Sequence, residues 1–216
     1  MPQSRQLAAI MFTDIEGYTT TMQQSEERAI RFRDRHRQVL ENEHKNFDGS
    51  IIQYYGDGSL SIFTSAVQAV KCAVTMQQFF CQAPSVPVRI GLHVGDIIRN
   101  ESGILGDGVN FASRIESLGV AGSVLISDKV NDELRNHPEL KTISMGTYQL
   151  KNIEREVEVF ALDIEGLVKP VPDSLKGKTQ EKKAPSTPSS VPKKSVAVLP
   201  FVNMRTIRNR NISAMV

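Results

Sequence analysis

Apolar and polar positions alternate along this chain in two distinct rhythms. Residues 7–13, Leu7-Ala8-Ala9-Ile10-Met11-Phe12-Thr13, form a short, nearly continuous apolar run that predicts a buried strand. Ser25 followed by Glu26 and Glu27 is a helix start, a side-chain cap with acids in the first turn. From there Ala29, Phe32, His36, Leu40 and Phe47 recur on one face, so a helix is expected to about Phe47, where Asp48-Gly49-Ser50 breaks it. Residues 51–55 and 59–63 read as a hairpin around Gly56-Asp57-Gly58. Residues 65–82 are helical in pattern, with Val67, Val70 and Val74 toward the core. Val86 to Ile98 alternates in part as a strand, and residues 107–118 form another helix. A short strand at Val124-Leu125-Ile126, a helix from Asp128 to Arg135 and a hairpin over 142–162 complete the set. This order implies an α+β fold with helices packed on one side of an antiparallel sheet.

After Leu162 the texture changes. Residues 166–194 are rich in Lys, Pro, Ser and Thr, which predicts a flexible linker. The globular region is therefore expected to span residues 1–165. At Lys194-Ser195-Val196-Ala197-Val198-Leu199-Pro200 a fresh strand pattern starts, and residues 195–216 form a third segment. The stretch from Arg205 to Val216 fits nothing folded, and a shift of reading frame just after Met204 would account for it.

Charge sharpens this division. Residues 1–165 carry 16 Lys and Arg against 22 Asp and Glu, a net of −6; residues 166–216 carry 10 against 2, a net of +8. The basic segment lacks interleaved aromatic residues, so it reads as a solvated linker and not as a nucleic-acid platform. The composition, 40% hydrophobic and 23% charged, is ordinary for a globular protein. Two cysteines, Cys72 and Cys81, point to a reducing compartment and a cytoplasmic location. No apolar run is long enough to span a bilayer.

Candidate chemistry concentrates at three places. Asp14 ends the first strand and is followed by the turn Ile15-Glu16-Gly17-Tyr18-Thr19; Asp57 lies in the hairpin turn Gly56-Asp57-Gly58. Two carboxylates at the ends of adjacent strands can hold a pair of hard cations against a triphosphate. Asn110 and Arg114 stand four apart in Val109-Asn110-Phe111-Ala112-Ser113-Arg114 and so share a helix face. A carboxamide and a guanidinium there suit a polyanion that gains charge during reaction. Asp107 is expected to cap that helix, His93 to be structural and His36 to be a satisfied core histidine. The arginines at 28, 31, 33, 35 and 37 read as a solvated helix face.

Together these segments, with Leu150-Lys151-Asn152 near the end, resemble the class III nucleotidyl cyclases, the adenylate and guanylate cyclase catalytic domain, from about Arg5 to Leu162. The opening at 195–204 is similar to a TolB-like module that follows many bacterial cyclase domains. The cyclase resemblance implies a ferredoxin-like βαββαβ core and conversion of a nucleoside triphosphate to its 3′,5′-cyclic monophosphate and pyrophosphate. It implies that Asp14, Asp57 and the backbone carbonyl of Ile15 hold two Mg²⁺ (or Mn²⁺) ions. The turn over Glu16, Gly17, Tyr18 and Thr19 would cradle phosphate. Arg114 would neutralise charge at the α-phosphate, Asn110 would orient the ribose, and Lys151 would reach the terminal phosphates. In the family the aspartates come from one subunit and the Asn/Arg helix from the other, so a homodimer with composite sites is implied.

Two positions depart from the family's pattern. Where adenylate cyclases commonly place Lys and Asp or Thr to read the purine, this chain has Gln53 and Gly103. Gln53 both donates and accepts, and Gly103 offers no side chain. The resemblance favours ATP as substrate, with GTP or dual specificity open, as is a catalytically weak nucleotide-binding or dimerising module. A palm-type diguanylate cyclase finds no support, because no Gly-Gly-Asp/Glu-Glu-Phe hairpin is present.

Overall fold

The computed structural model describes residues 4–100, 103–153, 155–172 and 175. The described elements run β1 (Ser4–Ile15), α1 (Tyr18–Gln24), α2 (Glu26–Asn46), β2 (Ser50–Tyr55), β3 (Gly58–Phe63), α3 (Ala66–Phe80), β4 (Val88–Asn100), β5 (Gly103–Leu105), α4 (Asp107–Leu118), β6 (Val124–Ser127), α5 (Asp128–Glu133), β7 (Thr142–Gln149) and β8 (Glu156–Leu162). The strands form one sheet in the order β2-β3-β1-β4-β6-β8-β7, with β5 paired to β4. All pairs are antiparallel except β4 with β6, which makes the sheet mixed. The parallel pair needs a crossover, and α4 supplies it.

Helices cover both faces of the sheet, not the one face expected. Side chains alternate along β1: Ala9, Met11 and Ile15 pack with α2 and α3, while Ala8 and Ile10 pack with Ala112 of α4. The β1–β4 register sets Phe12 opposite Gly91 and Asp14 opposite Arg89, so all four share the α4 face. The long strands β1 and β4 are thus covered on both sides, which is why β1 reads as a nearly continuous apolar run.

Caps follow the sequence in most places. Ser25 and Ser65 accept from the amides of Arg28 and Gln68, each at 3.3 Å. Asp107 does not cap α4. It is the first helical residue, behind Gly106 at φ 146°, and its side chain makes no capping bond. The reason is steric: a Cβ at Gly106 would stand 2.6 Å from the Asp96 carbonyl, so glycine takes the capping position.

His36 is a satisfied core residue. It is 1% exposed, and its Nε2 shares a 2.8 Å hydrogen bond with Oγ1 of Thr13, which also bonds Ser59. The arginine face of α2 is more than solvated. Arg35 donates to the Phe79 carbonyl at 2.9 Å, and Arg37 lies over the Tyr54 ring. Residues 163–172, expected in part as linker, lie against the domain: the Val168 amide donates to the Gly122 carbonyl at 2.9 Å, and Leu175 is fully buried. The rest of the expected linker and the TolB-like start fall outside the described residues. Cys72 is buried, Cys81 exposed, and neither is in a disulfide. Among the described residues no helix is long and apolar enough to cross a membrane.

Helix α4 meets β4 backbone to backbone. A Cβ at Gly91 would stand 2.2 Å from the Glu116 amide nitrogen and 2.4 Å from its Cα. No side-chain rotation relieves that clash. Gly91→Ala should therefore cost about 3 kcal/mol of stability, because helix or strand must shift bodily. A denaturation midpoint equal to that of the parent protein would refute the close contact.

Candidate active site

Asp14 sits at the end of β1, and the β2–β3 turn folds directly onto it. A Cβ at Gly58 would lie 2.7 Å from the Thr13 carbonyl and 3.5 Å from Oδ1 of Asp14, so only glycine lets the turn approach so closely. Asp57 is in that turn. Burial pushes its carboxyl above the usual range, and the nearby Asp14 adds to the rise. A carboxyl whose proton affinity is raised by burial and by a second carboxylate beside it suits a bound cation. Among the described residues no group of three His, Cys, Asp or Glu converges, so a divalent ion held here needs oxygens from its ligand. Mg²⁺ bound with substrate phosphates fits that donor set.

Sequence reasoning missed the partner of this pair. Nη2 of Arg89 donates to Oδ2 of Asp14 at 2.7 Å, and its Nε lies 2.6 Å from Oε1 of Glu116, an ion pair without hydrogen-bond alignment. Burial alone would lower the Arg89 pKa; Glu116, Asp14 and Glu16 more than offset it and hold it above its ordinary value. Burial pushes Glu116 up to about 7, against the pull of Arg89. The signal was present in the sequence: an arginine set between apolar strand residues, Val88-Arg89-Ile90, needs a carboxylate beside it.

Asn110 and Arg114 line a cavity of about 920 Å³ together with Arg5, His93, Lys129, Lys151 and Arg155. The tip of the β7–β8 turn carries Lys151 beside Asn152, whose φ is 62°. His93, expected to be structural, is 3% exposed but lines the cavity; its Nδ1 shares a 2.9 Å bond with Ser127 Oγ and its ring stacks on Phe111 at 3.9 Å. Burial first, then Lys129 and Arg155, hold its pKa at about 3, so it is neutral. Five cations against Asp96 and Asp107 give the cavity an excess of positive charge that suits a polyanion.

The two groups lie on opposite flanks of α4. Positions two apart on a helix point about 200° apart. Glu116 reaches Asp14 through Arg89, while Arg114 faces the cavity, whose lining includes neither Asp14 nor Asp57. Gln53 and Gly103 do not line it either; Gln53 is exposed, and Gly103, at φ 126°, has nothing within 4 Å of where a Cβ would be. In the turn after Asp14, Gly17 has φ 73° and precedes α1, where Tyr18 and Thr19 are the first residues. The Glu16 carboxylate is turned back to the Ala121 amide at 2.7 Å.

A profile of the adenylate and guanylate cyclase catalytic domain matches residues 1–163. The chain belongs to this family. Among curated proteins it is 34% identical over 209 residues to the Rhizobium meliloti protein named "Putative adenylate cyclase 3", a match covering 93% of this chain and 34% of that protein. The chain thus spans about a third of that relative's length. It is 28% identical to an Anabaena cylindrica adenylate cyclase over 71% of this chain and 34% of that one. Among solved structures, an adenylate/guanylate cyclase/hydrolase from Silicibacter pomeroyi superposes with TM-score 0.69 at 29% identity, covering 74% of this chain and 98% of that one. The P. aeruginosa adenylyl cyclase CyaB shares the fold, with TM-score 0.65 at 22% identity over 75% and 96% of the two chains. The cyclase-domain fold is therefore the one this sequence adopts.

The buried histidines of this cyclase domain give a pH dependence of defined sign. His36 and His93 have folded pKa values of about 3 against an ordinary 6.5, burial being the main cause. The unfolded state binds those protons first, so stability is full above pH 6.5 and is lost as pH falls toward 3. Glu116, raised to about 7, works oppositely: its contribution is present below 4.5 and lost as pH rises through 7. Between these limits the lowered histidines, His44 with His36 and His93, outweigh the raised carboxyls of Glu116 and Asp57. The urea midpoint should fall from pH 6.5 to pH 5; a flat or rising midpoint would contradict the burial of these rings.

Proposed function

We propose that this chain is a nucleotidyl cyclase that converts ATP to 3′,5′-cyclic AMP and pyrophosphate as a homodimer with two composite sites. The observation that carries the reading is the division just described. The carboxylate pair and the Asn110/Arg114 cavity belong to one chain but lie on opposite flanks of α4, which supports a site closed by two copies. Exposed apolar side chains flank both: Leu7 (65% exposed) and Leu105 (61%) near the cavity residues Arg5 and Gly106, and Tyr55 (48%) beside Asp57. A second copy seated on these side chains removes them from water and completes both sites by symmetry.

In the closed site, Asp14, Asp57 and the Ile15 carbonyl would hold two Mg²⁺ or Mn²⁺ ions, which when bound lower the pKa of the ribose 3′-hydroxyl and neutralise phosphate charge. The 3′-hydroxyl releases its proton to solvent as its oxygen attacks the α-phosphorus in line; the bond from that phosphorus to the oxygen bridging to the β-phosphate breaks, and pyrophosphate leaves with the electron pair. Arg114 of the partner subunit neutralises charge growing at the α-phosphate, a contribution of about 3 kcal/mol to the barrier. Asn110 of the partner subunit orients the ribose, and Lys151 of the partner subunit grips the terminal phosphates. Arg89, fixed between Asp14 and Glu116, offers a further guanidinium to phosphate oxygens arriving at Asp14. The turn from Glu16 to Thr19 lines the phosphate side.

The curated adenylate cyclases among the relatives support ATP. Gln53 and Gly103 favour a second reading, guanylate or dual specificity. A side chain that both donates and accepts, opposite one that is missing, penalises neither purine strongly.

The test is to incubate the full chain with ATP or GTP in Mg²⁺ or Mn²⁺ and resolve the products. Cyclic AMP should form, and it should disappear in Asp14→Ala. Asp57→Ala and Arg114→Ala should each be inactive. Mixed one to one they should recover about a quarter of the parental activity, because half the dimers are mixed and each of those has one intact site of two. No recovery from proven heterodimers would overturn the composite site.

A further inference from the structure

Residues 119–123, between α4 and β6, form a tight turn that is bonded on both sides. Within it Ser123 donates to the Val120 carbonyl through its amide at 3.0 Å and its hydroxyl at 2.7 Å. On one side the Ala121 amide donates to Oε2 of Glu16 at 2.7 Å, a contact between residues 105 apart in sequence. The Gly122 amide donates to the Val88 carbonyl at 2.8 Å, next to Arg89, and the Glu16 amide donates to the Pro87 carbonyl at 2.8 Å. On the other side the Gly122 carbonyl accepts the Val168 amide at 2.9 Å. The packing is close: a Cβ at Gly122 would stand 2.6 Å from Cγ2 of Val168, and Gly122 holds φ 83°. Beneath the turn the buried Gln77 amide bonds the Val88 and Ser123 carbonyls at 2.8 and 3.0 Å.

We infer that Glu16 is a positioning residue, which fastens the Asp14–Gly17 turn to residues 119–123, and that the Val168 segment fastens residues 119–123 in turn. The inference rests on the cyclase reading for the purpose of the turn and on this geometry for the linkage itself. Glu16 follows Asp14 and Ile15 directly. A turn that must present a carboxylate and a backbone carbonyl to the same ion loses affinity when either swings away. The Glu16 carboxylate holds the turn to residues 119–123 and adds its charge beside Arg89. Segment 163–172 is also the stretch through which residues 176–216 are attached to the domain. A pull or a docking event there reaches the metal turn through two hydrogen bonds, from Val168 to Gly122, then along one peptide unit to Ala121, and on to Glu16.

The test uses the full chain and compares Glu16→Ala, Glu16→Gln, Val168→Pro and the Glu16/Val168 double variant. Glutamine keeps an oxygen acceptor for Ala121; alanine does not; proline removes the Val168 donor. Amide hydrogen exchange is read at Glu16, Ala121 and Gly122, and Mn²⁺ occupancy by electron paramagnetic resonance. Glu16→Ala and Val168→Pro should each speed exchange at Ala121 and raise the Mn²⁺ concentration for half-saturation about tenfold. Glu16→Gln should stay near the parent, and the double variant should be no worse than Glu16→Ala alone, since both cut one chain of contacts. Should Val168→Pro fail to fold, Gly122→Ala disturbs the same contact and should give the same signature. Val168→Pro with parental exchange at Glu16 and Ala121 and parental Mn²⁺ binding overturns the linkage. None of these readouts needs turnover. A chain that forms no cyclic nucleotide overturns the cyclase reading and leaves the linkage to be judged by exchange.

Discussion

Helix α4 rests on β4 with almost no space between the two backbones, and the arrangement of the site depends on that contact. Gly91 meets the backbone of Glu116, Gly95 would bring a Cβ within 3.0 Å of the Gly108 Cα, and a Cβ at Gly108 would press on Ile10 at 2.9 Å. With no side chains to hold them apart, the helix lies flush on the sheet. It then acts as a wall. Glu116 drops to the sheet on one side and fixes Arg89 and Asp14; Asn110 and Arg114 open on the other. The separation of the carboxylate pair from the basic cavity is thus a packing consequence, and the proposed need for a second copy rests on it.

The electrostatics are consistent with this division. The carboxylate side sets Asp14, Asp57, Glu16 and Glu116 around the half-buried guanidinium of Arg89. The cavity side gathers five cations. Each half carries an unbalanced charge of one sign that suits what it would receive, metal on one side and phosphate on the other. In the proposed dimer, bringing the halves together around a metal–triphosphate complex would cancel both imbalances at once.

Much of this was legible in the sequence because it is local. Asp14 and Asp57 announce themselves by ending strands in glycine-containing turns, Asn110 and Arg114 by helical spacing, and the element order by periodicity. What was not legible depends on long-range pairing. Glu116 reads as an ordinary helix-surface acid until the sheet places Arg89 beneath it. Asp107 reads as a cap, yet Gly106 takes that role because the Asp96 carbonyl leaves no room for a Cβ. The three-residue β5 is too short for any pattern, and helices on both faces of the sheet are invisible when both sides of a strand are equally apolar. Glu16, expected among the phosphate-cradling residues, has its carboxylate bonded across the molecule to Ala121.

The central claim is that one copy holds two halves of different sites. Its most direct measurement is specific activity across a protein dilution series, with the dimer fraction determined by sedimentation at the same concentrations. The account predicts that activity per chain falls in proportion to the dimer fraction and vanishes in the monomer. Activity per chain that stays constant while the protein dissociates would mean that a single copy builds a complete site, and would contradict it.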